Sequence, residues 1–164
     1  MMRAFLLMVA FAALGCGRGA TPQAATRPDE HHGHDHERDK MLLADFGRYH
    51  AGLTAHLSSK TGNELDVLVE SMDAAHKPVA LPLEKFTAKA RTATGVEHEL
   101  SFEPAEMDER KDDPPGKCSH FTAKAPWMKA DAPLTIAAEI PLDGRPHTVT
   151  WKEFVPRKYA HVVE

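Results

Sequence analysis

Cysteine is scarce in this chain: Cys16 and Cys118 are the only two in 164 residues. A framework of paired bridges is excluded, so stability must come from a buried core. Aromatic residues are few at 7%, yet 42% of the chain is hydrophobic, enough for one core. The length fits a single domain plus extras. The formal charge is only −4, and no basic stripe with interleaved aromatics occurs. Nucleic acid is therefore not expected as a partner. No Gly-Xaa-Ser-Xaa-Gly, no His-Glu-Xaa-Xaa-His and no phosphate-cradling glycine loop is present, so the chain does not read as an enzyme and no organic cofactor is expected. Nor is there a long apolar run: residues 4–14 fall short of the roughly 20 needed for a membrane-spanning helix.

What is present begins with an address. Met1-Met2-Arg3 is a short positive start, followed by the apolar run and then Gly15-Cys16. That order of basic, apolar and small residues is a secretory signal. Ala13-Leu14-Gly15-Cys16 resembles the bacterial lipoprotein lipobox, although Ala13 stands where the family usually has Leu. The resemblance implies cleavage after residue 15, lipidation at Cys16 and a periplasm-facing membrane anchor. Gly17 implies outer-membrane sorting. The alternative is a plain signal peptide cut elsewhere. If Cys16 becomes a thioether, Cys118 has no intramolecular partner.

Residues 16–40 hold Gly, Pro, Thr, Ala, His and charged residues without apolar periodicity, the composition of a disordered tether. Within it, residues 29–37 place four of the eleven histidines, His31, His32, His34 and His36, among carboxylates that include Asp35. From Met41 the pattern changes to short alternating runs between turn signals. In 49–58, Ala51, Leu53, Ala55 and Leu57 share one face; in 64–70, Leu65, Val67 and Val69 do. Residues 96–103 alternate cleanly, as do 134–142, and Asp143-Gly144 turns the chain into 147–154. Residues 79–83, flanked and interrupted by proline, suit an edge strand or a bend. Segment 85–94 has some helical character, but its Phe and Thr favour strand. The expectation is an all-β, immunoglobulin-like β-sandwich of about seven to eight strands over 41–157, with a C-terminal tail at 158–164.

Neutral imidazole binds Zn²⁺, Cu²⁺ or Ni²⁺, and carboxylates can complete the shell. The candidate metal ligands are accordingly His31, His32, His34, His36 and Asp35, holding an ion loosely, with a solubilising linker as the bland reading. Cys118 and His120 are two residues apart, so on a strand they share a face and form a second candidate metal pair. The competing reading makes Cys118 a buried apolar residue. His50 and His56 share a face but stand too far apart for one ion unless another strand supplies a bridge. His98 reads as a satisfied core or edge histidine, and the acidic loop 108–113 as a solvated surface that lacks calcium-loop spacing.

Gly47-Arg48-Tyr49-His50-Ala51-Gly52-Leu53, Lys77-Pro78-Val79 and Gly116-Lys117-Cys118-Ser119-His120-Phe121, together with the lipobox and the His-rich tether, carry a resemblance. The chain resembles the uncharacterised His-rich periplasmic lipoproteins of planctomycete-like bacteria. It is also similar to the N-terminal parts of periplasmic adaptors in heavy-metal efflux systems. The likeness implies metal handling in the cell envelope and heavy-metal efflux components as partners. The alternative is a non-catalytic interaction module that binds a protein or glycan, with the tether as a spacer.

Overall fold

The computed structural model describes residues 38–110 and 112–163, and over them the chain is all β. After a 3-10 turn at Arg38–Lys40, nine strands follow: β1 (Leu42–Phe46), β2 (Tyr49–Leu57), β3 (Glu64–Ser71), β4 (Phe86–Thr92), β5 (Glu97–Pro104), β6 (His120–Lys124), β7 (Leu134–Leu142), β8 (Arg145–Phe154) and β9 (Ala160–Val163). Their side chains alternate as the period of two requires. Along β7, buried Leu134, Ile136, Ala138, Ile140 and Leu142 are separated by residues of greater exposure.

The expected sandwich is one sheet folded over on itself. One layer runs β1-β2-β3-β6 and the other β5-β4-β7-β8, all antiparallel. A short β5–β6 pairing, Glu103 with Thr122 and Pro104 with Phe121, joins them along one edge. Along the other edge β1 approaches β8, where the Phe46 and His147 rings meet edge to face at 6.3 Å. The barrel is thus nearly closed, which leaves little free edge. Between the layers lie Leu53, Val67, Phe102, Phe121, Ile136 and Trp151, each at most 1% exposed. Phe86 stacks on Phe102 at 4.8 Å and meets Phe121 edge-on at 5.2 Å. The Trp151 indole N–H donates to the Ala51 carbonyl at 3.0 Å, so a buried polar atom is satisfied by the facing layer.

Three departures from simple alternation have physical causes. Phe154 is buried like Trp151 although it is an odd number of residues away; the ladder to β7 shifts register here, and Glu153 takes φ +56°. A bulge of this kind re-aims the following side chain. Residues 79–83 form no strand: Pro78 and Pro82 lack the N–H a ladder needs, and only Leu81 exchanges a reciprocal pair of 2.8 Å bonds with Cys118. The expected tail contains β9, which pairs parallel to β2 just beyond the end of β1 and buries Ala160. Asp143 and Gly144, at φ +51° and +73°, make the tight β7–β8 turn their sequence signals.

Candidate functional site

Cys16, His31, His32, His34, Asp35 and His36 lie outside the described residues. The remaining histidines are distributed unevenly. Because Ala51, Leu53 and Ala55 of β2 point into the core, His50, Thr54 and His56 point outward. By the same parity, Asp66 and Glu70 of β3, His120 of β6 and His161 of β9 share that outer face. Outward-facing polar residues are ordinarily solvated, yet Asp66 is only 4% exposed and Thr54 3%. Part of the cover is the loop after β5: Glu109 Oε2 lies 3.9 Å from His120 Nδ1, and Asp113 accepts a 2.7 Å bond from the Ser119 N–H.

Two groups stand on this face. In the first, His50 Nδ1 closes on Asp45 Oδ1 at 2.7 Å, and its ring lies 6.0 Å from that of His76. In the second, Asp66 sits between two imidazoles, with Oδ1 at 3.4 Å from His120 Nε2 and Oδ2 at 3.8 Å from His161 Nδ1. Neither contact is a hydrogen bond, and the buried atoms Asp66 Oδ2, His120 Nε2 and His56 Nε2 have no hydrogen-bond partner. His161 Nδ1 also lies 3.2 Å from Thr54 Oγ1, whose own hydrogen is given to the Tyr159 carbonyl at 2.5 Å. Thr54 must therefore accept from His161, which fixes Nδ1 as the protonated nitrogen. The His56 ring stands edge-on to His161 at 5.9 Å. Burial pulls the His120 pKa down, but Asp66 and then Glu109 outweigh it, and the net shift is upward.

The chain matches no known family model, no curated protein and no solved structure. What the face can do must be read from its chemistry.

Cys118 and His120 occupy different surroundings. Cys118 is 1% exposed within the core cluster, and its thiol donates to the His120 carbonyl oxygen at 2.8 Å. Burial pushes the thiol pKa up, which keeps it protonated and a poor ligand. The His120 imidazole faces Asp66 instead. His98 stacks flat on Trp127 at 3.8 Å. Among the described residues, no three His, Cys, Asp or Glu side chains already converge on one point that could hold an ion. Sequence reasoning missed Asp66, which falls between the inward Leu65 and Val67, and His161, which lies in the expected tail. On the opposite layer, Thr87, Lys89, Glu99, Ser101, Glu139 and Thr148 line a shallow concave face.

Proposed function

We propose that this protein is a lipid-anchored envelope protein that binds a transition metal, Zn²⁺, Cu²⁺ or Ni²⁺, for buffering or for delivery to an efflux partner. Capture runs through His31, His32, His34, His36 and Asp35, and Cys16 carries the lipid. The observation that carries the reading is the outer face of the β1-β2-β3-β6 layer. There His50, His56, His120 and His161 gather beside carboxylates, in a chain whose sequence already concentrates imidazole at 31–36. Imidazole with carboxylate is the ligand chemistry of borderline divalent ions.

Isothermal titration of Zn²⁺, Cu²⁺ and Ni²⁺ into the chain and into a variant lacking residues 29–37 tests the tether's part. The deletion should remove bound equivalents, and binding should weaken from pH 7 to pH 5.5 as imidazoles protonate. Equal binding by both chains would remove the tether from the function. The concave face of β4, β5, β7 and β8 favours a second reading, an interaction module that docks a protein strand or a glycan. Glycan-array binding unaffected by chelator would select that reading.

A further inference from the structure

We infer that the outer face of β5-β4-β7-β8 docks a second copy of this chain, sheet against sheet, about a twofold axis that runs parallel to the strands between β4 and β7. The inference stands apart from the metal-handling reading and needs no ion.

The relief of the face is the first support. Outward side chains are long on β4 and β5, at Lys89, Arg91, Glu97 and Glu99, and short on β7 and β8, at Thr135, Ala137, Thr148 and Thr150. Rotation about an axis along the strands keeps each residue in its own row. It lays β4 on the β7 of the second copy, and β5 on its β8. Lys89 then meets the partner's Ala137, Arg91 meets the partner's Thr135, and Glu99 meets the partner's Thr150. The exceptions also match, since Glu139 shares its row with the short Thr87 and so meets the partner's Thr87. Long side chains land on short ones.

The curvature agrees. A twisted sheet is concave along one diagonal and convex along the other. A twofold axis along the strands lays the concave diagonal of one copy on the convex diagonal of the next, and it keeps the strands within the roughly 30° seen in stacked sheets.

Charge is the second support. Lys89, Arg91 and Lys152 balance Glu97, Glu99 and Glu139, so the face is neutral on a chain of formal charge −4. Self-repulsion is least there. Lys89 stands opposite Glu99 in the ladder, and Arg91 Nε lies 3.9 Å from Glu97 Oε1, so these charges enter the contact already paired. Lys152 follows Trp151 beside Thr135, in the row of Arg91 and Glu97. Glu97 therefore meets the partner's Lys152, and the symmetry makes that contact twice. Four strands at about 4.8 Å by the seven residues of β4 at about 3.4 Å give a plane of roughly 450 Å². A standard interface takes about 800 Å² from each partner, so the dimer is a weak one.

The test is sedimentation equilibrium of the full chain with chelator present, from about 10 µM to about 1 mM. The mass should rise from monomer toward dimer across that range. Glu97→Lys and Lys152→Glu should each weaken the dimer about tenfold or more, because each sets like charges together at both symmetric contacts. Mixing the two variants should restore association, since only the mixed pair brings opposite charges together at both. Both residues are exposed, so their reversal leaves the fold intact. Ala137→Lys, which sets a cation against the partner's Lys89, should weaken the dimer as well. A chain that stays monomeric at the highest concentration overturns the inference. So does a dimer that these substitutions leave unweakened, which then uses another surface, and so does a mixture that fails to associate. A glycan or a protein strand that binds the monomer and is lost with Ala137→Lys gives the face to that occupant and overturns the inference too.

Discussion

Replacing Asp66 with Asn in the metal-free protein should cost stability at pH 5.5 and cost little, or stabilise, at pH 9. With His120 protonated, opposite charges 3.4 Å apart attract by roughly 5 kcal/mol at an effective dielectric of 20. Desolvation of both groups offsets much of this, leaving a net of about 1–3 kcal/mol. The direction follows from proton binding. The folded pKa of His120 lies above its ordinary value of 6.5, despite burial, because Asp66 and Glu109 favour the charged ring. The folded state therefore binds more protons than the unfolded one near neutrality. The contribution is complete below 6.5 and is lost as pH rises through the folded pKa. Above that, Asp66 faces a neutral His120 with Oδ2 unsatisfied, and an amide costs less to bury than a carboxylate. Glu109 still faces His120 in the variant and keeps part of the slope. Urea unfolding with chelator present, followed by tryptophan fluorescence, reads the effect. At about 1.5 kcal/mol per molar urea, the midpoint should fall by roughly 1–2 M at pH 5.5. An equal fall at pH 9 would refute the electrostatic account of Asp66.

Trp151→Phe removes the bond to the Ala51 carbonyl and part of a fully buried ring, so it should cost about 2–3 kcal/mol and lower Tm by roughly 10 °C. A calorimetric loss below about 1 kcal/mol would mean that the indole does not tie the layers together. Cys118 should resist maleimide at pH 8 in the native protein and label fully in urea, since burial disfavours its thiolate; rapid native labelling would contradict its place in the core. Truncation after residue 159 strips β9 and uncovers Thr54. It should destabilise by about 1–3 kcal/mol in urea unfolding, whereas a dispensable tail would leave the midpoint unchanged.

The architecture was legible because one face of each strand is buried, and a buried face writes itself as alternation. Leu134 to Leu142 and Leu100 with Phe102 were readable for that reason, and Asp143-Gly144 because few residue pairs accept positive φ at both positions. Three features were hidden by interactions outside the local window. Four residues carry too little periodicity to mark β9 as a strand; its place is set by the Ala55 N–H bonding to the Tyr159 carbonyl. Phe154 faces inward through a bulge that no side-chain pattern displays. The Cys118–His120 spacing implies a shared face only within one strand, but β6 begins at His120, and Cys118 is paired to Leu81. The outer face was the least legible part. Alternation states which residues point away from the core, not whether a loop then covers them.

That cover is what gives the Asp66 group its significance. A carboxylate left in water needs no partner, and an apolar residue under the loop would need none either. Leu68 occupies that same face one rung along β3, so the sheet accepts an aliphatic side chain there. Asp66 and His56 instead bury Oδ2 and Nε2 without hydrogen bonds, each at a cost to stability on the order of 1–3 kcal/mol. The same layer satisfies Asp45 and His50 with a direct bond, and Thr54 with a backbone carbonyl. At His120 the charge pair with Asp66 Oδ1, 3.4 Å away, offsets part of that cost when the ring is protonated. Buried polar atoms without partners mark places where stability has been given up for function, and on this face they lie beneath a loop and beside the gathered imidazoles.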